Sequence, residues 1–282
     1  MAIKLVISDI DGTLIDENHE ISERTQKAVQ ALVAKGIQFG VATGRNFDSA
    51  KNIVKQTGID ADDAPIISLN GIYVEHKSIG YEDHGDTLSY EACRNLAELG
   101  EKYYMGVLYF FEDNVYFHMD DLSLQDFELN RDEDFMRFFK ESMHMDRIDS
   151  IDDLQERFDN QESILKVVFL QNPAYSELVQ ERIALEMPKE LVYMMVGPGW
   201  GEIMPKSVNK GAAILRYGQH VGIKPEEIMV FGDSDNDLTM IEKAGIGVAV
   251  KNAHSSVKIL ADDMTDTNIN DGVAKYIEKH LL

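Results

Sequence analysis

Residues 3–13 are Ile-Lys-Leu-Val-Ile-Ser-Asp-Ile-Asp-Gly-Thr. The apolar run at 3–7 is short and is ended by acidic residues and a glycine, which indicates a buried strand leading into a functional loop. In an extended chain, side chains two residues apart share a side, so Asp9 and Asp11 face the same way. Because open α/β sheets bind ligands at the carboxyl ends of their strands, the stretch predicts a site here. An Asp-rich turn closed by glycine is also an ordinary loop.

A second motif follows another strand candidate, residues 38–42. It is Thr43-Gly44-Arg45, in which the threonine hydroxyl and the following backbone N–H groups can hold phosphate oxygens at the start of the next helix. Taken alone, Thr-Gly is more typical of a simple turn. The sequence nevertheless contains two strand candidates, 3–7 and 38–42, that are each followed by a polar loop.

Two further motifs favour a binding or catalytic site over ordinary surface loops. Lys210 precedes a predicted helix, where its charge opposes the helix dipole, so an anionic partner explains it better than solvation does. Residues 231–237, Phe-Gly-Asp-Ser-Asp-Asn-Asp, end an apolar strand with three carboxylates. These would repel one another and Asp9 and Asp11, and a hard divalent cation would relieve the repulsion. A small set of oxygen ligands suits Mg²⁺.

The order of predicted elements indicates the fold class. Gly followed by Ile closes four predicted helices, at Gly36, Gly58, Gly222 and Gly245. Strand candidates follow at 38–42, 65–69, 228–231 and 247–250, and strands alternating with helices predict a parallel α/β sheet. Between about 84 and 196 the rhythm changes to amphipathic helices interleaved with strand-like runs. We therefore predict an inserted second domain at 84–196 and a first domain formed by 1–83 and 197–282, rejoined at the turn-rich residues 197–199.

Length and charge restrict the function classes. The 282 residues suggest two domains, and 44% hydrophobic and 27% charged residues are ordinary for a globular protein. A formal net charge of -23 disfavours nucleic acid and anionic membrane surfaces as partners. Residues 84–195 hold 25 Asp and Glu against 10 Lys and Arg, which also sets the insert apart. No stretch approaches 18 apolar residues, and the lone Cys93 cannot form an intramolecular disulfide, so we expect a cytoplasmic protein.

The four motifs, Asp-X-Asp-Gly-Thr, Thr-Gly-Arg, Lys and Gly-Asp-X-X-Asn-Asp, resemble in order and placement those of the haloacid dehalogenase superfamily of phosphohydrolases. Within it the chain is similar to the Cof-type branch, in which sugar-phosphate phosphatases are typical. The resemblance implies a doubly wound, Rossmann-like α/β core with an inserted α+β cap of the C2 type. It covers 1 to about 83 and about 197 to 282 by motif, and the insert by position and size only.

The resemblance implies a Mg²⁺-dependent phosphatase of small phosphorylated metabolites that works through an aspartyl phosphate. Asp9 would be the nucleophile and Asp11 the general acid and base. Metal ligands would be the Asp9 and Asp233 side chains and the Asp11 backbone carbonyl, while Asp237 orients Lys210 or a metal-bound water. The phosphoryl group would be held by Ile10, Gly12, Thr43, Gly44, Lys210 and Asn236. Arg45 and Asn70 would be additional substrate contacts, although Asn70-Gly71 is by itself a hairpin signal.

Two other functions use similar residues. A sugar phosphomutase would return the phosphoryl group to its substrate, so release of inorganic phosphate separates it from a phosphatase. A receiver-type signalling module would hold a long-lived phosphoaspartate, but such a domain is much shorter, has no insert and places its phosphoacceptor on a later strand. Asp235 is an extra carboxylate that we expect to face solvent. The sequence specifies neither the substrate nor the oligomeric state.

Overall fold

A computed structural model describes residues 2–130 and 145–282. It divides into two compact units, one formed by Met1–Gly85 with Val208–Leu282 and the other by Asp86–Ser207. Among the described residues, no helix has the length and apolar character needed to cross a membrane.

The helices and strands are numbered in chain order. The first segment contains β1 (Leu5–Ser8), α1 (Glu23–Ala34), β2 (Gln38–Ala42), α2 (Phe47–Gln56), β3 (Ile66–Ser68), β4 (Tyr73–His76) and β5 (Tyr81–His84). The second unit contains α3 (Tyr90–Lys102), β6 (Gly106–Phe110), β7 (Val115–His118), α4 (Asp121–Asn130), β8 (Met145–Arg147), α5 (Gln155–Asp159), β9 (Lys166–Leu170), α6 (Pro173–Glu186), β10 (Leu191–Gly197) and β11 (Trp200–Pro205). The last segment contains α7 (Lys210–Val221), β12 (Ile228–Gly232), α8 (Leu238–Lys243), β13 (Ile246–Ala249), α9 (Ser255–Leu260), β14 (Asp263–Met264) and α10 (Gly272–His280).

The first unit is built on one sheet with the strand order β14-β13-β12-β1-β2-β3-β4-β5. Every pairing from β14 to β3 is parallel, and β3, β4 and β5 form an antiparallel edge. Residues of β1 alternate between two hydrophobic clusters. Val6 packs on the side covered by α1, α2 and α10, whereas Leu5 and Ile7 pack on the side covered by α7, α8 and α9. Helices on both faces make this a doubly wound α/β core, as predicted.

The second unit is an α+β structure with the strand order β10-β11-β9-β6-β7-β8. Its pairings are antiparallel except for β7 with β8. The cluster on one face includes Leu96 of α3, Val179 and Ile183 of α6, and Cys93. Cys93 is buried, and burial raises the pKa of its thiol to about 12, which makes it an inert packing residue.

The predicted return to the first domain at residue 197 differs from the structure. Residues 198–199 form the turn between β10 and β11, with residue 197 at the end of β10, and β11 then pairs with β9 inside the second unit. Because β10 and β11 belong to that sheet, the second unit extends to Ser207. At the other boundary, β5 pairs with β4 through His84, so the first unit continues to Gly85. The turn was predicted correctly, but it joins two strands of one sheet rather than two domains.

The Gly-Ile pattern also separates into two cases. Gly36, Gly58 and Gly222 have positive φ, as expected after a helix end. Gly245 does not; a Cβ there would lie 2.6 Å from the Cα of Glu226, so close backbone approach explains this glycine instead.

Candidate active site

Three of the predicted motifs meet at one edge of the core sheet. β1 pairs in parallel with β2 on one side and with β12 on the other, so their carboxyl ends lie together. The loops that follow these strands are residues 9–13, 43–45 and 233–237. Each loop begins within a residue of its strand end, so the topology alone brings the motifs into one region.

Asp9 is buried at this edge, with 4% of its surface exposed. Its Oδ1 accepts a hydrogen bond from Lys210 Nζ at 2.6 Å. Burial raises the pKa of Asp9 well above its ordinary value; Lys210 opposes this rise, while Asp237 and Asp233 add to it. Asp9 therefore needs positive charge beside it to act as a carboxylate.

Lys210 supplies one such charge and is the first residue of α7. Its side chain has no exposed surface, and Nζ also donates to Asp237 Oδ1 at 2.6 Å. Burial alone would lower the pKa of Lys210, but the charges of Asp237 and Asp9 outweigh burial and raise it. The lysine is thus held as a cation, as the dipole argument from its helix position required.

Asp237 shapes the third loop. It is fully buried, and its Oδ2 accepts from the backbone N–H groups of Asp233 at 2.8 Å and Ser234 at 3.0 Å. Both of its carboxylate oxygens therefore have protein donors, one from Lys210 and one from its own loop. This arrangement makes Asp237 an orienting residue for Lys210 and for Asp233.

Asp233 lies beside the first loop. Thr13 Oγ1 donates to its Oδ1 at 2.7 Å. Burial raises the pKa of Asp233, the Thr13 hydrogen bond lowers it in part, and Asp237 raises it further. Gly12 has a φ of +78°, and a Cβ at this position would lie 2.6 Å from Asp233 Oδ2. Glycine therefore permits the close approach of the first loop to Asp233.

The carboxylates of Asp9, Asp233 and Asp237 fit a divalent cation. One oxygen from each lies within 4.8 Å of the others, and the single charge of Lys210 does not neutralise all three. Such an all-oxygen set in a buried position is the donor chemistry that Mg²⁺ prefers. Asp237 accepts hydrogen bonds at both of its oxygens, whereas Asp9 and Asp233 each accept a side-chain hydrogen bond at Oδ1. Asp9 and Asp233 are therefore the side chains that could coordinate such an ion through their other oxygen.

The first two loops present backbone donors. Within the described parts of the chain, the N–H groups of Ile10, Gly12 and Gly44 have no protein acceptor. Thr43 is buried, and its Oγ1 accepts from the Arg45 N–H at 3.1 Å, so its own hydroxyl hydrogen can be directed elsewhere. Unpaired N–H groups in the loops that follow two adjacent parallel strands can donate to the oxygens of an anion.

Arg45 and Asp11 form a contact that the sequence analysis missed. The guanidinium donates to Asp11 Oδ2 through Nε at 2.7 Å and to Oδ1 through NH2 at 2.5 Å. The same NH2 lies 3.3 Å from His19 Nδ1, so His19 also borders the site although it belongs to no predicted motif. The side chain of Asp11 is half exposed, in contrast to buried Asp9. The two acidic residues of the first motif thus have different environments.

Asn236 and Asn70 are joined across the site, because Asn236 Nδ2 donates to Asn70 Oδ1 at 3.0 Å. Asn70-Gly71 lies in the connection of the β3–β4 hairpin, so the hairpin signal and the proximity to the site both hold. Asp235 is largely exposed as expected, and it accepts a hydrogen bond from Ser256 Oγ at 2.5 Å.

Comparison with known proteins shows the family to which the chain belongs. The sequence profile of the haloacid dehalogenase-like hydrolases matches residues 6–277. The chain is 28% identical to 5-amino-6-(5-phospho-D-ribitylamino)uracil phosphatase YitU of Bacillus subtilis, over 98% of this chain and 97% of that protein. It is 30% identical to phosphatase YwpJ of the same organism, over 99% and 100% of the two chains.

A solved haloacid dehalogenase-like hydrolase from B. subtilis superposes with a TM-score of 0.74 and 27% identity, covering 99% of this chain and 100% of that one. The chain therefore belongs to the haloacid dehalogenase-like hydrolase family and is a phosphatase of that family.

Proposed function

We propose that the protein is a Mg²⁺-dependent phosphatase of small phosphorylated metabolites, in which Asp9 is phosphorylated transiently. The observation that carries the proposal is the contact of Asp9 with Lys210 at 2.6 Å, within a buried cluster that also contains Asp233 and Asp237. A carboxylate so placed can attack phosphorus, because the lysine stabilises charge on both the nucleophile and the phosphoryl oxygens.

In the first half-reaction, an Asp9 oxygen forms a bond to phosphorus while the bond from phosphorus to the substrate alcohol breaks. Asp11 gives a proton to the departing oxygen. Thr43, Asn236 and the free N–H groups of Ile10, Gly12 and Gly44 would hold the phosphoryl oxygens. Mg²⁺ bound by Asp9 and Asp233, with the Asp11 carbonyl, would supply charge neutralisation at the phosphoryl group.

In the second half-reaction, water attacks phosphorus, its proton passes to Asp11, and the bond from Asp9 to phosphorus breaks. Inorganic phosphate leaves, and both carboxyl groups return to their starting states. Asp11 forms an ion pair with Arg45. Once the phosphate of the substrate draws the guanidinium away, Asp11 can take up from solvent the proton that it gives to the departing oxygen. Arg45 would then contact the substrate, as the motif resemblance implies.

The proposed substrates are phosphate esters of sugars or sugar alcohols. One relative, YitU, is named for a phospho-D-ribityl compound. The net charge of -23 supports small monoesters over long polyanions, since a single phosphate can be neutralised locally whereas a nucleic acid cannot. The second unit, Asp86–Ser207, is proposed to act as the cap that selects among them.

The test is release of inorganic phosphate from a panel of sugar phosphates, sugar-alcohol phosphates, nucleotides and an aryl phosphate, with Mg²⁺ and with chelator. We expect turnover that requires Mg²⁺ and is abolished in Asp9→Asn, because an amide is a poor nucleophile. Asp235→Asn is the matched control, since that carboxylate lies in the third loop but is largely exposed. Turnover without phosphate release would favour a phosphomutase, and wild-type rates in Asp9→Asn would exclude the proposed nucleophile.

A further inference from the structure

We propose that Asn252 is a positioning residue for the proposed Mg²⁺ site, because its side-chain amide fixes the first loop, residues 9–13, beside Asp233. This role depends on the proposed phosphatase function and deepens it with a residue that belongs to none of the four motifs. Asn252 lies in the segment 250–254, which follows β13. Since β13 pairs in parallel with β12, the segment lies at the same edge of the core sheet as the three loops of the site.

Gly12 is the residue of the first loop whose conformation most needs an external restraint. A side chain cannot be placed there, because a Cβ would lie 2.6 Å from Asp233 Oδ2. Glycine also has more backbone freedom than any other residue, so its φ of +78° is not enforced by its own structure. Asn252 Nδ2 donates to the Gly12 carbonyl at 2.7 Å. This hydrogen bond restricts the rotation of the Gly12 peptide group and stabilises the conformation that brings the loop against Asp233.

The amide of Asn252 is itself oriented by the segment before α10. Its Oδ1 accepts from the backbone N–H of Asn268 at 3.1 Å. A backbone N–H can only donate and a carbonyl can only accept, so the two contacts fix which end of the amide faces Gly12. Asn268 Nδ2 in turn donates to the Ile15 carbonyl at 2.9 Å. The two asparagines thus hold the chain after β1 at carbonyl groups on either side of Thr13, whose hydroxyl contacts the third loop.

The segment that carries Asn252 also holds the third loop. The backbone N–H of His254 donates to the Asp233 carbonyl at 2.7 Å. Asn252 and His254 therefore bond to Gly12 and Asp233, one in each of the two loops that contain the proposed Mg²⁺ ligands. Groups that hydrogen-bond behind metal ligands orient those ligands and tune the affinity for the ion. We infer that this segment sets the spacing between the first and third loops.

A positioning role and a role in overall stability predict different results for Asn252. The side chain is exposed, so water can replace its hydrogen bond to Gly12 and the net contribution to stability is small. Water cannot, however, hold the Gly12 carbonyl at a fixed place relative to Asp233. Loss of the amide should therefore weaken Mg²⁺ binding without a matching loss of stability.

Three substitutions test this role. Asn252→Ala removes the donor to Gly12. Asn268→Ala removes the bond to Ile15 but keeps the backbone N–H that orients Asn252. Asn270→Ala is the matched control, because Asn270 is also exposed and also donates through Nδ2 at 2.7 Å, but its acceptor is Thr267 Oγ1, outside the loops of the site.

The readouts are calorimetric binding of Mg²⁺ without substrate and the thermal midpoint of unfolding in chelator. In Asn252→Ala we expect Mg²⁺ affinity to fall roughly 10-fold, the lower end of the range for groups that orient metal ligands. Its midpoint in chelator should stay within roughly 2 °C of the wild type, as expected for the loss of an exposed hydrogen bond. Asn268→Ala should weaken Mg²⁺ binding less than Asn252→Ala does, and Asn270→Ala should bind Mg²⁺ like the wild type.

Wild-type Mg²⁺ affinity in Asn252→Ala would overturn the positioning role alone, and so would an equal loss of affinity in Asn270→Ala or in Asn268→Ala. A midpoint in chelator lowered well beyond that range would assign Asn252 a structural role instead. A wild-type protein that neither binds Mg²⁺ nor hydrolyses phosphate esters would remove the proposed function, and the role of Asn252 with it.

Discussion

Replacing Lys210 with methionine tests whether the lysine is the charge that allows two carboxylates to be buried together. Methionine has a similar length but no charge. In the native protein, Lys210 Nζ donates to Asp9 and Asp237 at 2.6 Å each, and its side chain is fully buried. In Lys210→Met both carboxylates stay buried without their cation.

The magnitude follows from those two contacts. A hydrogen bond to a charged group contributes about 1.5–3 kcal/mol, so losing two gives roughly 3–6 kcal/mol. Removing one member of a buried ion pair independently costs about 3–5 kcal/mol, because the partner is left uncompensated. We therefore expect the free energy of unfolding, measured in chelator at pH 8, to fall by about 3–5 kcal/mol.

The loss should depend on pH. Burial raises the pKa of Asp9 and Lys210 opposes that rise, so the substitution moves the pKa higher still. A carboxyl group whose pKa is higher in the folded than in the unfolded state binds more protons when folded, so stability decreases as pH rises between the two values. The difference between Lys210→Met and the wild type should consequently be smaller at pH 5 than at pH 8.

Denaturant unfolding at both pH values measures the effect. Lys275→Met is the control, because Lys275 contacts Asp266 at a similar distance, 2.7 Å, but both side chains are more than one-third exposed. Solvent screens that pair, so its loss should be much smaller. A loss below about 1 kcal/mol in Lys210→Met, or the same loss at both pH values, would contradict the proposed charge balance.

Three further substitutions test the loops. Asp233→Asn should raise the Mg²⁺ concentration for half-maximal turnover by on the order of tenfold or more, because it removes a charged oxygen ligand; superimposable metal titrations would exclude Asp233 as a ligand. Gly12→Ala should lower stability by about 1–2 kcal/mol from its positive φ and weaken Mg²⁺ binding by displacing Asp233 Oδ2, both measurable by calorimetry. Asp11→Asn should slow hydrolysis of alkyl phosphates by about 10²–10⁴-fold but aryl phosphates less, since their leaving groups need no proton; equal losses would argue against the acid role.

Most of the core fold could be predicted because its signals are local. The strands predicted at 228–231 and 247–250 are β12 and β13 to within about a residue at each end. Their short apolar runs and glycine-punctuated ends depend on neighbouring residues only. Parallel pairing then places the ends of β1, β2 and β12 together without any further information. The order of strands and helices, together with parallel pairing, was therefore enough to predict that the motifs lie near one another.

The boundary near residue 197 could not be predicted in the same way. Gly-Pro-Gly has the same turn chemistry whether it joins two strands of one sheet or two domains. What distinguishes the cases is the pairing of Trp200 with Leu170 and of Ile203 with Val167, which connects segments far apart in sequence. The residues around position 197 therefore do not indicate that pairing.

The sequence analysis also did not predict which side chains pair with one another in the site, and this pairing matters for the proposed reaction. The sequence predicts that Arg45 and Asp11 each follow a strand, but not that one guanidinium contacts both oxygens of one carboxylate. Because of this contact, the two acidic residues of the first loop have different cationic partners: Arg45 for Asp11 and Lys210 for Asp9. Lys210 pairs with Asp9 in a buried site from which the lysine could not easily be displaced, whereas Asp11 pairs with Arg45 on the exposed side, where an incoming phosphate can compete for the guanidinium. In the proposed reaction the nucleophile must stay charged, and the general acid must be released from its ion pair before it can carry a proton. The difference in burial between the two pairs fits both requirements of that proposal.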